Sequence, residues 1–260
     1  MKNVETKKQK EERGKKEIIS WDYKTAWKFF TENAYKRYIP ETETYVLSLP
    51  TSRLLDLRDN PRSSEILLDS IKPSTFIIID GASANGKTTA AYRLAKKVDA
   101  IVVDIDLLCK EFIDNNLRQA KSKLEIVKIL SNAYSITDEY ILNNIEKIIY
   151  QKSLSKKPVI LVGFYIEVIY RAILARTLGK YFENVVSIIC CEKNFKQVEN
   201  FIKKRAKEYG SGVLGQNEIE MCFIQWEQTN NLINQERGRL LGFGMNYSFV
   251  VDSKVVDRLK

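Results

Sequence analysis

Gly81-Ala82-Ser83-Ala84-Asn85-Gly86-Lys87-Thr88 follows the pattern G-x-x-x-x-G-K-[ST], the Walker A loop, whose chemistry is to hold a chain of phosphates. Gly81 and Gly86 leave the backbone free to curl around an anion. The loop N–H groups and the start of the following helix then aim partial positive charge at it. Lys87 is expected to reach the β- and γ-phosphates, and the Thr88 hydroxyl to bind the Mg²⁺ that accompanies a nucleotide. Thr89 completes the set expected to line the phosphates. The flanks fit the motif: Phe76 to Ile79 reads as a buried strand, and Thr89 to Lys97 as a helix.

A second group of reactive side chains follows at Val102-Val103-Asp104-Ile105-Asp106. A spacing of two in extended chain puts both carboxylates on one side of the backbone. Phosphoryl transfer needs a carboxylate to take the acceptor's proton and groups that hold Mg²⁺. Asp106 is assigned as base and acceptor-orienting residue, and Asp104 as a metal contact through water. The spacing leaves open which of the two is the base. The competing reading makes Asp106 the cap of a helix beginning near Leu107, with Asp104 merely ending a strand.

These groups need a scaffold, and the pattern around them alternates. Strands are predicted at 75–80, 100–104, 159–162, 185–189 and 247–251. Helices are predicted at 87–98, 106–119, 121–132, 137–152, 165–178, 194–208 and 217–236. Short apolar strands between helices indicate a parallel sheet covered on both faces, with ligands at the carboxyl ends of its strands. The phosphate loop, Asp104 and Asp106, Gly163 and Asp252 all fall at such ends. Upstream, residues 1–17 read as a charged tail. Residues 18–38 carry Trp21, Tyr23, Trp27, Phe29, Phe30, Tyr35 and Tyr38 at helical spacing, which suits packing or base stacking. Residues 39–74 read as a connector with a short helix near 62–71.

Composition narrows the classes. The chain has 260 residues, 44% of them apolar, with no apolar run near the ~20 residues of a membrane span. The charged amino terminus lacks a signal-peptide core, so a cytoplasmic protein is expected. There is no histidine, which removes His-based nucleophile activation and His-ligated metals. Cys109, Cys190, Cys191 and Cys222 lack zinc spacing and read as buried free thiols. Of the net charge of +9, the first 17 residues supply +3, from seven Lys/Arg against four Glu. The balance suits a phosphate site better than it argues for nucleic acid.

The phosphate loop, the strand-Asp-x-Asp-helix run, a strand ending at Gly163 and the basic stretch Phe195 to Lys207 together resemble the P-loop kinases of small molecules. These include nucleoside, shikimate, chloramphenicol and zeta-toxin-type kinases and polynucleotide 5′-hydroxyl kinases. The resemblance covers roughly 75–254. It implies a three-layer α/β P-loop NTPase fold with a five-stranded parallel sheet, behind a helical extension over 18–74. It implies acceptor-binding helices within 107–153 and a lid at about 205–220. It supports Asp106 as base with Asp104 beside it, and makes Arg205 the best match, with Lys204 second, for a cation on the transferring phosphoryl group. A solvated basic helix face is the alternative for both. Arg118, Tyr134, Tyr140 and Arg171 are candidates to line the acceptor pocket, and Val250 to Ser253 resembles the segment beside the adenine.

The expected activity is transfer of the γ-phosphate of ATP, with Mg²⁺, to a hydroxyl of a small metabolite, nucleoside or antibiotic. A polynucleotide kinase or other RNA-acting P-loop enzyme, and a nucleotide-binding switch without catalysis, are the alternatives. The third strand, Val159 to Phe164, carries no carboxylate, which counts against a hydrolysing motor; Glu167 follows a helical turn later. No Asn-Lys-x-Asp stands in the chain to read guanine, and the glycine spacing differs from that of a dinucleotide fold.

Overall fold

The apolar runs become strands because each is walled by helices on both sides. The computed structural model describes residues 52–60, 64–164, 168–208, 216–234, 242 and 244–259. The expectations for 1–17, for the aromatic stripe at 18–38, for Glu167 and for residues 209–215 of the lid lie outside these residues. In chain order the elements are β1 (Leu54–Asp56), α1 (Ser64–Asp69), β2 (Thr75–Asp80), α2 (Lys87–Val98) and β3 (Ile101–Asp104). Then come α3 (Ile105–Gln119), α4 (Lys123–Ser131), α5 (Ala133–Ser153), β4 (Val159–Phe164), α6 (Val168–Gly179) and β5 (Asn184–Cys190). The last are α7 (Phe195–Glu208), α8 (Gln216–Asn234), β6 (Tyr247–Val251) and α9 (Ser253–Asp257).

Among the described residues the sheet has six strands in the order β1-β6-β5-β2-β4-β3, not the five expected. All neighbouring pairs are parallel. The added strand comes from the stretch read as a connector. Leu54, Leu55 and Asp56 pair with Ser248, Phe249 and Val250. Three residues between Pro50 and Pro61 are too few to show a period, and only pairing with β6 makes them a strand.

Alternation along the strands divides the core in two. Ile77, Ile79, Ile160, Val162, Val186, Ile188 and Phe249 face Ala90, Ala91 and Leu94 of α2 and Val255 and Val256 of α9. Phe76, Ile78, Val159 and Leu161 face Ile141, Ile145 and Ile149 of α5 and Leu174 and Leu178 of α6. β2 lies at the centre with all six residues buried. A phosphate loop leaving its carboxyl end therefore stands on the best-packed part of the molecule. Among the described residues, no helix is long and apolar enough to cross a membrane.

Candidate active site at the carboxyl edge of the sheet

Because every strand runs the same way, Asp80, Asp104, Phe164, Cys190 and Val251 end on one edge. At the centre of that edge Gly81 turns the chain out of β2 with φ of +134°, a conformation that disfavours any side chain. Space forbids one as well, since a Cβ there would lie 2.0 Å from the Cys190 carbonyl oxygen. The loop is thus pressed against the end of β5. Gly86 precedes α2 as its cap and offers no side chain to the first N–H groups of the helix. Those donors need a partner, and an anion suits them. The residues present therefore fit a phosphate chain. The Lys87 amine donates to the Ala82 carbonyl at 3.0 Å. Burial pulls its pKa below the usual lysine range, while Asp80 first, and then Asp106, pull the other way. Thr88 and Thr89 are exposed on the first turn of α2.

The other half of the loop is braced rather than open. Asn85 is buried. Its amide nitrogen donates to the Ser83 carbonyl at 2.9 Å, and its side-chain oxygen accepts the Glu192 N–H at 2.9 Å. The Ser83 N–H donates to Gln225 Oε1 on α8 at 3.1 Å. Glu192 Oε1 accepts from the Ser253 N–H at 2.8 Å, and the Glu192 carbonyl accepts from Trp226 Nε1 at 2.6 Å. Sequence reasoning missed Glu192, Gln225 and Trp226. The one available signal was a carboxylate placed straight after the apolar run that ends at Cys191. No disulfide joins the cysteines; Cys190, Cys191 and Cys222 are buried as expected, Cys109 is half-buried, and burial pushes the thiols of Cys190 and Cys191 up to about 12.

The helix cap falls on Asp104, not on Asp106 as the competing reading had it. Asp104 ends β3 and is itself the N-cap of α3, its Oδ1 accepting from the Leu107 N–H at 3.2 Å. The helix begins at Ile105, so Asp106 lies in its first turn and the pair is not an extended i, i+2 pair. Asp106 is exposed, whereas Asp104 is buried. The Asp106 carboxyl is held above its ordinary range, chiefly by desolvation and then by Asp104, while Lys87 and Arg205 draw it down. Lys87, Asp106 and Arg205, three residues distant in sequence, thus share one electrostatic neighbourhood. Gly163 makes this possible. Its φ is +122°, and a Cβ would lie 3.0 Å from Ile105 Cβ and 3.1 Å from the Asp106 nitrogen. The β2–β4 register passes over Gly163, from Ile79↔Val162 to Asp80↔Phe164, so the start of α3 can close on β4.

Of the acceptor-pocket candidates, Arg171 and Tyr140 are engaged in packing and internal contacts. Arg171 is 1% exposed, beneath the sheet edge, and lines no open pocket. Its Nη1 donates to Asp80 Oδ2 at 3.3 Å, and its Nη2 donates to Ser187 Oγ. Desolvation lowers its pKa and Asp80 opposes that. Tyr140 stacks on Phe112 with ring centroids 4.2 Å apart, a packing role. Arg118 is exposed at the end of α3, and the Tyr134 side chain is outside the described set. Val250 and Val251 are buried, and Asp252 caps α9 by accepting from the Val255 N–H at 3.1 Å.

No protein-family model matches the chain. Over 146 residues it is 31% identical to a tRNA dimethylallyltransferase of Sulfurimonas denitrificans, a match covering 52% of this chain and 48% of that protein. The chain thus spans about half the length of that curated relative. Among solved structures it is similar to a "putative kinase" of Chloroflexus aurantiacus J-10-fl, at 14% identity and a TM-score of 0.46, over 73% of this chain and 90% of the other. It is also similar to the shikimate kinase of Acinetobacter baumannii in complex with shikimate, at 11% identity and a TM-score of 0.39, over 75% and 92%.

Proposed function

We propose that this protein, built on a P-loop kinase-like fold, is an ATP-dependent phosphotransferase acting on a hydroxyl of a small acceptor. The observation that carries the reading is the glycine loop pressed against the Cys190 carbonyl, ahead of a helix whose first N–H groups have no side-chain cap, with the start of α3 and Asp106 packed on Gly163 at the same sheet edge. A base suited to deprotonating a hydroxyl is a carboxylate with raised proton affinity, and Asp106 is one. Phosphoryl transfer otherwise asks for positioning and charge rather than covalent help from the protein.

In this reading the loop from Gly81 to Thr89 holds the phosphates, with Lys87 leaving the Ala82 carbonyl to meet them. Bound Mg²⁺ would screen the phosphate charge. Thr88 would hold it directly, and Asp104 through water. Asp106 orients the acceptor hydroxyl and takes its proton as the oxygen–phosphorus bond forms. Arg205 offers forked donors to the charge that develops on the transferring group. ADP leaves with the electron pair of the broken bond.

A second reading follows from the relative named a tRNA dimethylallyltransferase. There the loop would hold the diphosphate of an activated allylic donor, and Asp106 would deprotonate an RNA acceptor. One experiment separates the two. The purified protein is given γ-³²P-ATP with nucleosides, sugars, antibiotics and 5′-hydroxyl RNA, and in parallel labelled dimethylallyl diphosphate with bulk tRNA. Label on a small acceptor supports the kinase. Label carried into RNA from the diphosphate overturns it in favour of the second reading, and label on an RNA 5′ end marks a polynucleotide kinase.

A further inference from the structure

The phosphate loop stands on a negative charge. Asp80, 3% exposed, is the last residue of β2, and its Oδ1 accepts the N–H of Gly81, the first residue of the loop. Asp80 is also the largest charge acting on Lys87. An uncompensated carboxylate there would repel the phosphates and hold the Lys87 ammonium back from them. The compensation comes from the opposite layer. Arg171 projects from α6 through the core to Asp80 Oδ2, with its second nitrogen on Ser187 of β5. Its Nε is buried without a partner among the described residues. A guanidinium with one donor left unsatisfied is a costly way to fill a core, which favours a purpose beyond packing.

We infer that Arg171 is a positioning residue for the phosphate site: it neutralises Asp80 beneath the loop, so that the Lys87 charge is turned toward the bound phosphates. The inference rests on the phosphate-holding part of the reading above, and is indifferent to whether phosphate or an allylic group is transferred. Asp80 fixes the loop's first turn through the Gly81 N–H, and Arg171 cancels the electrostatic penalty of using a carboxylate to do so.

The test is a double-mutant cycle read by calorimetric binding of Mg-pyrophosphate and Mg-ATP, scaled to the folded fraction. Arg171→Met should weaken binding by about tenfold, the order expected for one unscreened charge near the site. Asp80→Asn, which leaves a net positive charge under the loop, should tighten binding by about threefold. The double variant removes both charges of the pair and should bind within about threefold of wild type. A purely structural pair predicts instead that each single variant unfolds more easily while its folded molecules bind normally, and that result overturns the inference. Should Arg171→Met fail to fold, Asp80→Asn and the double variant decide: weaker or unchanged binding by Asp80→Asn overturns it. Wild-type protein that binds neither probe overturns the phosphate reading itself; wild-type binding with unchanged binding by Arg171→Met overturns only the role of Arg171.

Discussion

The two sides of the candidate site are built differently. On the donor side, Gly81, Ala82 and Asn85 are buried, and the loop is tied to β5 through Glu192 and to α8 through Gln225. On the acceptor side, Asp106 and Arg205 are exposed, and α4 buries none of its residues, leaving Leu124, Val127 and Leu130 open. The donor loop is held by the core, and a phosphate can enter it with little rearrangement. The surface around Asp106 and Arg205 has little enclosure. The contrast teaches that the core fixes the phosphate loop, whereas the helices beside Asp106 can change shape without loss of the core.

Perturbing each side should separate these contributions. Lys87→Ala should have the largest effect, lowering transfer by about 10²–10³-fold or more by removing a donor aimed at the reacting charge, measured as initial rate at saturating acceptor. Asp106→Asn should keep nucleotide binding and lower kcat by about 10²-fold or more. In the wild type, the rate should fall as pH drops through a pKa above 3.8, the ordinary value for this carboxyl, and the variant should lack that limb. The sign for stability is opposite. A carboxyl with a raised folded pKa stabilises the fold below its ordinary pKa, and that contribution disappears as pH rises through the raised value. Asp106→Asn should therefore be no less stable than wild type at neutral pH, by thermal unfolding. An inactive and destabilised Asp106→Asn would erase the contrast between a braced donor side and a functional acceptor side.

Gly81→Ala tests the brace. A positive φ and a Cβ 2.0 Å from a backbone oxygen predict a loss of about 1–3 kcal/mol or more in chemical denaturation. Val127→Ser on α4 should be the mildest, within about 0.5 kcal/mol, since the residue is 60% exposed. A large loss at Val127 would mean that the acceptor side is enclosed after all.

Much of this was legible in the chain because local signals agreed. A buried run, a glycine loop and a helix with Ala90, Ala91 and Leu94 inward define β2 to α2 without tertiary information. The end of β3 at Asp104 was legible, but not that Asp104 caps the helix, because that depends on whether the helix starts at Ile105 or two residues later. The sequence could not show that Gly163 lets α3 close on β4, since the contact lies between elements about 57 residues apart (Gly163 to Asp106). Arg171 was misplaced for a related reason. It reads as a candidate for the acceptor pocket, and only the fold brings Asp80 and Ser187 under it. β1 was missed because three residues have no period of their own.

That short strand ties folding to the order of synthesis. Ser52, next to β1, meets Ser248 of β6 across 196 residues, and the pair shares a 2.7 Å hydroxyl contact. At about 5–20 residues per second, β1 leaves the ribosome roughly 10–40 s before β6, its pairing partner among the described residues, exists. The four strands between them can be assembled first. The sheet edge then closes last, with the two ends of the domain sealing each other.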